Sequence, residues 1–255
     1  YLLTHLLELG LSMGPAISEA FNNDKQHLTK NLIEEQFRWF GLINIGVLTI
    51  PILFFIPNIL FLVGQEYGQA AFMIYLLFFS AIFFYPSDFM GVILRNADLP
   101  HLSTGIEVIK QVIRIISFLL ALAPWGVQAW FGREWVLIFW LLADIPAVLI
   151  KLVVGWIIVK RRVVKFKFPV IQALIIPILS STPLIILSFV FAGFLDTLSG
   201  TSMILVYIFA LLFLLCYIYI FPALITFPLI GFLGGIDKRG LEHFEKAVKI
   251  SGPSF

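Results

Sequence analysis

A single cysteine, Cys216, occurs in 255 residues, and it sits in an apolar run. That excludes an intrachain disulfide and leaves thiolate metal chemistry nothing to build on. Charge is also scarce: 13% of residues are Asp, Glu, Lys or Arg, against 60% hydrophobic ones. Soluble domains carry about 25% charged residues, so this composition cannot cover a water-facing globule and points to a bilayer. The motifs of common catalytic sites are missing. There is no His-Glu-x-x-His pair, no Gly-x-Ser-x-Gly elbow and no glycine loop for phosphate, so no enzyme activity is expected. The first residues show no basic leader and no small-residue cleavage site, and no signal peptide is read there.

Long apolar runs are what the sequence has instead, with a mean hydropathy of +1.02. A helix crossing a bilayer needs about 20 mostly apolar residues. Seven stretches qualify: 1–21, 38–63, 67–94, 104–124, 135–159, 168–194 and 201–234. They predict an all-α polytopic membrane domain over residues 1–235, followed by a polar tail, 236–255. The last stretch is too long for one straight span and contains Pro222 and Pro228. It is expected to cross as far as about Phe221 and then to kink or lie in the interface.

Lys and Arg gather on one side of that arrangement, fifteen of the seventeen, with only Arg133 opposite and Lys151 inside a span. By the positive-inside rule the chain starts outside and its tail is cytoplasmic. The strongest anchor is "KRRVVKFKF" after the fifth span, read as a topology signal that touches anionic headgroups. Trp125, Trp130 and Trp135 bracket the short outer turn between spans four and five, where amphipathic rings prefer the headgroup level.

Polar residues inside the spans fall in stripes. In the first span His5, Glu8, Ser12, Pro15 and Glu19 step by three or four and stay on one helical face. In the third, Asp88 and Arg95 are seven apart; in the fourth, Glu107, Lys110, Arg114 and Ser117 align; in the fifth, Asp144 and Lys151 flank Pro146. An ionisable group facing lipid is costly, whereas one facing a cavity or a partner helix is tolerated. Glu19, Arg95, Glu107 and Lys110 have a second explanation, snorkelling at the cytoplasmic interface. Asp144 and Lys151 lie too deep for that, and either an interhelix salt bridge or a cavity wall accounts for them. The sixth and seventh spans have no charge in their cores and read as lipid-facing.

The segment "PAISEAFNNDK" followed by "LTKNLIEEQFRWFGLINIGVLTIPILFF", and then "PNILFLVGQEYGQAAFMIYLLFFSAIFF", resembles prokaryotic polysaccharide flippases. These belong to the multidrug, oligosaccharide-lipid and polysaccharide exporter superfamily, two-lobed proteins of 12 or 14 helices. The likeness runs over about the first 165 residues by pattern and has no single defining signature. It implies that seven spans starting outside are helices eight to fourteen, the second lobe of a 14-helix protein whose amino-terminal lobe is a missing partner. It further implies alternating-access transport of a polyprenyl-phosphate or pyrophosphate-linked glycan among membrane lipids, without nucleic acid or a cofactor, with coupling to protons or sodium possible. Under that resemblance Arg95, Arg114, Lys151 and Lys110 are candidates for phosphate or glycan contact. Asp144, Asp88, Glu8 and Glu19 are candidates for coupling or for holding those cations. A drug or cation antiporter of the same superfamily predicts a more acidic cavity. A seven-helix receptor shares the topology, although no lysine lies in residues 202–221 to bind retinal.

Overall fold

Backbone surrounded by hydrocarbon must satisfy its own hydrogen bonds, and this chain does so as helix. A computed structural model describes residues 14–63, 68–132, 135–197 and 203–235, with no strand among them. Helix α1 is Gly14–Asn22. Helix α2 comprises α-helical Gln26–Phe40, a π-helical stretch Gly41–Thr49 and α-helical Ile50–Val63. Then come α3 (Gly68–Asn96), α4 (Pro100–Leu122), the short α5 (Val127–Phe131), α6 (Val136–Leu142) and α7 (Asp144–Arg162). Helix α8 joins π-helical Ile171–Ile175 to Ile176–Thr197. Helix α9 starts as Met203–Leu215, passes through π-helical Cys216–Ile220 and Pro222–Thr226, and ends as Phe227–Phe232.

Among the described residues, five helical stretches are long and apolar enough to cross a membrane: Gln26–Asn58, Phe72–Asn96, Val136–Arg162, Ile171–Leu195 and Val206–Phe232. Two of the seven expected spans are not in that set. Most of 1–21 lies outside the described residues, as does the tail 236–255. Helix α4 has the length, 23 residues, but Glu107, Lys110 and Arg114 interrupt its apolar character.

Two boundaries differ from the sequence reading for identifiable reasons. Helix α2 begins at Gln26 rather than near Arg38, because its polar first turns are amphipathic. Thr29, Ile33, Gln36 and Phe37 share one buried face, while His27 and Asn31 are exposed. Helix α9 does not break at Phe221. Proline removes an N–H and clashes with the carbonyl four residues back, and the wider π turns around Pro222 accommodate both defects without ending the helix.

The chain divides into two compact units, one of residues 1–37 and 55–168, the other of residues 38–54 and 169–255. In the first, α3, α4 and α7 pack against one another. Small residues permit the close approach. A Cβ at Gly155 of α7 would lie 2.7 Å from Cβ of Met90 on α3, and Ser103 Oγ of α4 donates 3.0 Å to the Gly91 carbonyl of α3. The second unit has few charges and is held by apolar packing and hydroxyls. The Tyr217 hydroxyl lies within hydrogen-bond distance of the carbonyls of Pro51 (3.1 Å) and Leu184 (2.9 Å), and Ser188 Oγ donates to Phe54 O at 2.6 Å. All the described π-helical stretches belong to this unit, and two of them meet at Gly41 and Ala173.

Candidate functional site

The charged stripes of the first unit converge. Lys151 Nζ, from α7, donates at 2.6 Å both to Asp88 Oδ1 on α3 and to Glu107 Oε2 on α4. Lys110, one turn along α4 from Glu107, stands 3.7 Å from the same Asp88 oxygen and from Glu107 Oε1. Gln111 Nε2 donates to that Oε1 at 2.9 Å, so both oxygens of Glu107 are engaged. A second contact joins α4 to α7, where Arg114 Nε lies 3.0 Å from Asp144 Oδ1. The Arg114 guanidinium also lies 5.5 Å from the centre of the Phe118 ring.

The two α4–α7 contacts form a ladder. Glu107 and Arg114 are seven residues apart, as are Lys151 and Asp144, so the rungs are about 10 Å apart at 1.5 Å rise per residue. Each helix carries one acid and one base, in opposite order along the antiparallel pair. A slip of two turns would place Arg114 against Lys151 and bring like charges together. The ladder therefore fixes register as well as contact.

Local sequence explains the upper rung. Pro146 has no N–H for the Leu142 carbonyl, and α6 gives way to α7 at Ala143. Asp144 then occupies the first turn of α7, where the helix macrodipole favours a carboxylate.

Depth and burial set the chemistry. Asp88 is eight residues from the end of α3, Glu107 seven from the start of α4, and Lys151 eleven from the end of α7. The lower rung is therefore about 10 to 16 Å from the shared end of the three helices. Lys151 and Lys110 are 5% and 11% exposed at the side chain, whereas Asp88 and Glu107 are 56% and 42% exposed. Three cations, Lys110, Arg114 and Lys151, face three carboxylates, Asp88, Glu107 and Asp144, so the formal charges cancel.

Six of the charges in the sequence stripes are thus brought together. Glu107 and Lys110 are held by Lys151 and Asp88 where α3, α4 and α7 meet. With Arg114, Lys110 also drops out of the loop cations used to orient the chain, since both lie in the middle of α4. Asp144 and Lys151 share a helix but engage different partners. Arg95 is exposed in the last turn of α3 and Glu19 is exposed on α1, away from the ladder contacts. Glu8 and His5 lie outside the described residues. Sequence reasoning missed Gln36, whose amide donates to the Tyr85 hydroxyl at 2.6 Å one turn from Asp88. Being uncharged and placed before the expected start of its span, it gave no periodic signal.

Arg114→Gln is expected to cost about 1 kcal/mol, because the arginine is 40% exposed and solvent weakens the pair. Asp144→Asn should cost a similar amount, and the double variant no more than either single one. A double-mutant cycle on thermal unfolding in detergent measures this; additive losses would mean that the two groups do not interact.

Compared with protein-family models, with characterised proteins and with solved structures, the chain matches none. Function is accordingly argued from the ladder itself.

Proposed function

We propose that the protein is a membrane transporter that moves a polyprenyl-phosphate or pyrophosphate-linked glycan across the cytoplasmic membrane by alternating access. In this reading the chain is the second lobe of a 14-helix flippase. The observation that carries it is the exposure of Asp88 and Glu107 part-way along α3 and α4. A carboxylate costs several kcal/mol against lipid, so the open side of this pair faces water or another polar surface, as a translocation pathway requires.

The residues then take distinct roles. Asp88 and Glu107 accept hydrogen bonds from sugar hydroxyls. Arg95, exposed, and Arg114, partly exposed, meet the phosphate, and Lys110 joins them when it leaves the carboxylates. Lys151 is too buried to reach a substrate and instead keeps the two carboxylates in place. Coupling to protons or sodium runs through the ladder carboxylates.

A second reading has one observation in its favour. On the lower rung the acids are exposed and the cations buried, which suits a cationic drug. Proteoliposomes of the intact protein, with its amino-terminal lobe, separate the two. For a flippase, an externally added enzyme should modify a lipid-linked oligosaccharide loaded in the inner leaflet, and Arg114→Gln should slow that modification at least tenfold. Efflux of a cationic dye with no glycan movement would replace the flippase by the antiporter. Neither activity would overturn the transport reading.

A further inference from the structure

The stretch leaving α7, "KRRVVKFKF" over residues 160–168, is a fixed strap. Helix ends at Arg162 and residues 164–169 have no regular secondary structure. Side chains alternate along it: Phe166 is 1% exposed, while Lys165 and Lys167 point outward and are exposed. The Phe166 ring stacks on Phe37 with centres 5.8 Å apart and lies 4.4 Å from Trp156. Phe168 meets Phe37 edge-on at 5.3 Å, and Phe89 closes the cluster from the other side at 5.1 Å. The Lys167 backbone N–H donates to the Glu34 carboxylate at 2.8 Å, and Lys30 balances that acid at 3.9 Å. At the helix end Lys160 lies over the Trp156 ring, 5.3 Å from its centre.

Five cations, Lys160, Arg161, Arg162, Lys165 and Lys167, are therefore exposed together on a helix end and a clamped backbone. No acidic residue occurs in the sequence between Asp144 and Asp196. We infer that this aromatic-clamped strap is a docking surface for the headgroups of anionic phospholipids. The charge is complementary, and the strap begins where a membrane-length helix ends, within a Debye length of a bilayer surface. A topology signal needs only the charges. A docking surface also needs their spacing, which the buried phenylalanines supply. Because the backbone that carries the cations is already clamped, headgroup phosphates bind without the cost of ordering the strap. The inference concerns bilayer lipid and stands independently of the transported substrate.

Purified protein in mixed micelles, titrated with phosphatidylglycerol or phosphatidylcholine while thermal unfolding is followed, provides the test. A ligand of the folded state raises the melting temperature, so phosphatidylglycerol should raise it and phosphatidylcholine should not. Lys165→Gln/Lys167→Gln keeps the helix-end cations that anchor topology. Each surface cation contributes about a fivefold factor, so the half-saturating phosphatidylglycerol concentration should rise about 25-fold. Phe168→Ala leaves every charge in place and loosens the clamp, and should also weaken the response; Phe168→Leu replaces it if alanine prevents folding. Equal shifts with both lipids, an unchanged midpoint in the double lysine variant, or the same shift with inorganic phosphate would each overturn the inference.

Discussion

Lys151→Ala is expected to destabilise the first unit by about 3 kcal/mol and to abolish transport. Lys151 is 4% exposed and is the only cation within hydrogen-bond distance of both Asp88 and Glu107 among the described residues. Removing one partner of a buried pair leaves its counter-charge uncompensated at a cost of about 3 to 5 kcal/mol. The lower end applies here, because both carboxylates keep partial access to solvent and Lys110 remains 3.7 Å away. Thermal unfolding in detergent, followed by tryptophan fluorescence, measures the loss. An unshifted melting temperature would show that the lysine does not tie the three helices together. The quadruple variant Asp88→Leu/Glu107→Leu/Lys110→Met/Lys151→Met separates structure from function. Apolar replacement of a buried ion-pair network is often neutral or stabilising; here only the two lysines are buried, so this variant should regain part of the lost stability while transport stays absent. Recovery of transport as well would remove the ladder from the proposed pathway.

Gly41→Ala should prevent the second unit from packing, with a loss of about 3 kcal/mol or more. The new methyl would sit 2.0 Å from the Ala173 carbonyl oxygen and 2.5 Å from its carbon and Cα. No rotamer change relieves a clash with backbone, so two π-helical stretches must move apart. Overpacking a core costs about 1 to 3 kcal/mol even where side chains can yield. Gly193→Ala is the matched control: the position is on α8 in the same unit, and a Cβ there meets nothing within 4 Å. It should be neutral, or gain up to about 1 kcal/mol from helix propensity. Yield of monodisperse protein on size exclusion reports both variants, and equal yields would contradict the close approach at Gly41.

Both predictions concern contacts that periodicity cannot show. A glycine reads the same in a sequence whether its Cβ would strike a backbone, as at Gly41, or open space, as at Gly193. Charges behave similarly. The stripe Glu107, Lys110 and Arg114 is legible because 3.6 residues per turn puts those positions on one face. Its partners lie 44 residues away at Lys151 for Glu107 and on α7 at Asp144 for Arg114. Nothing in a helical repeat ranks those pairings above an interfacial position for Glu107 and Lys110.

The sequence by itself determined that the chain is helical and apolar over lengths that cross a membrane, because hydrocarbon leaves the backbone no other partners. It determined which helix faces carry charge, because helical geometry is local. The tertiary structure decided that α3, α4 and α7 bring those faces together, which carboxylates stay open and which lysine is enclosed. It also decided that Pro222 widens α9 rather than ending it, and that "KRRVVKFKF" is a clamped strap. These outcomes depend on neighbours distant in sequence, whose packing outweighs the local preference of any one residue.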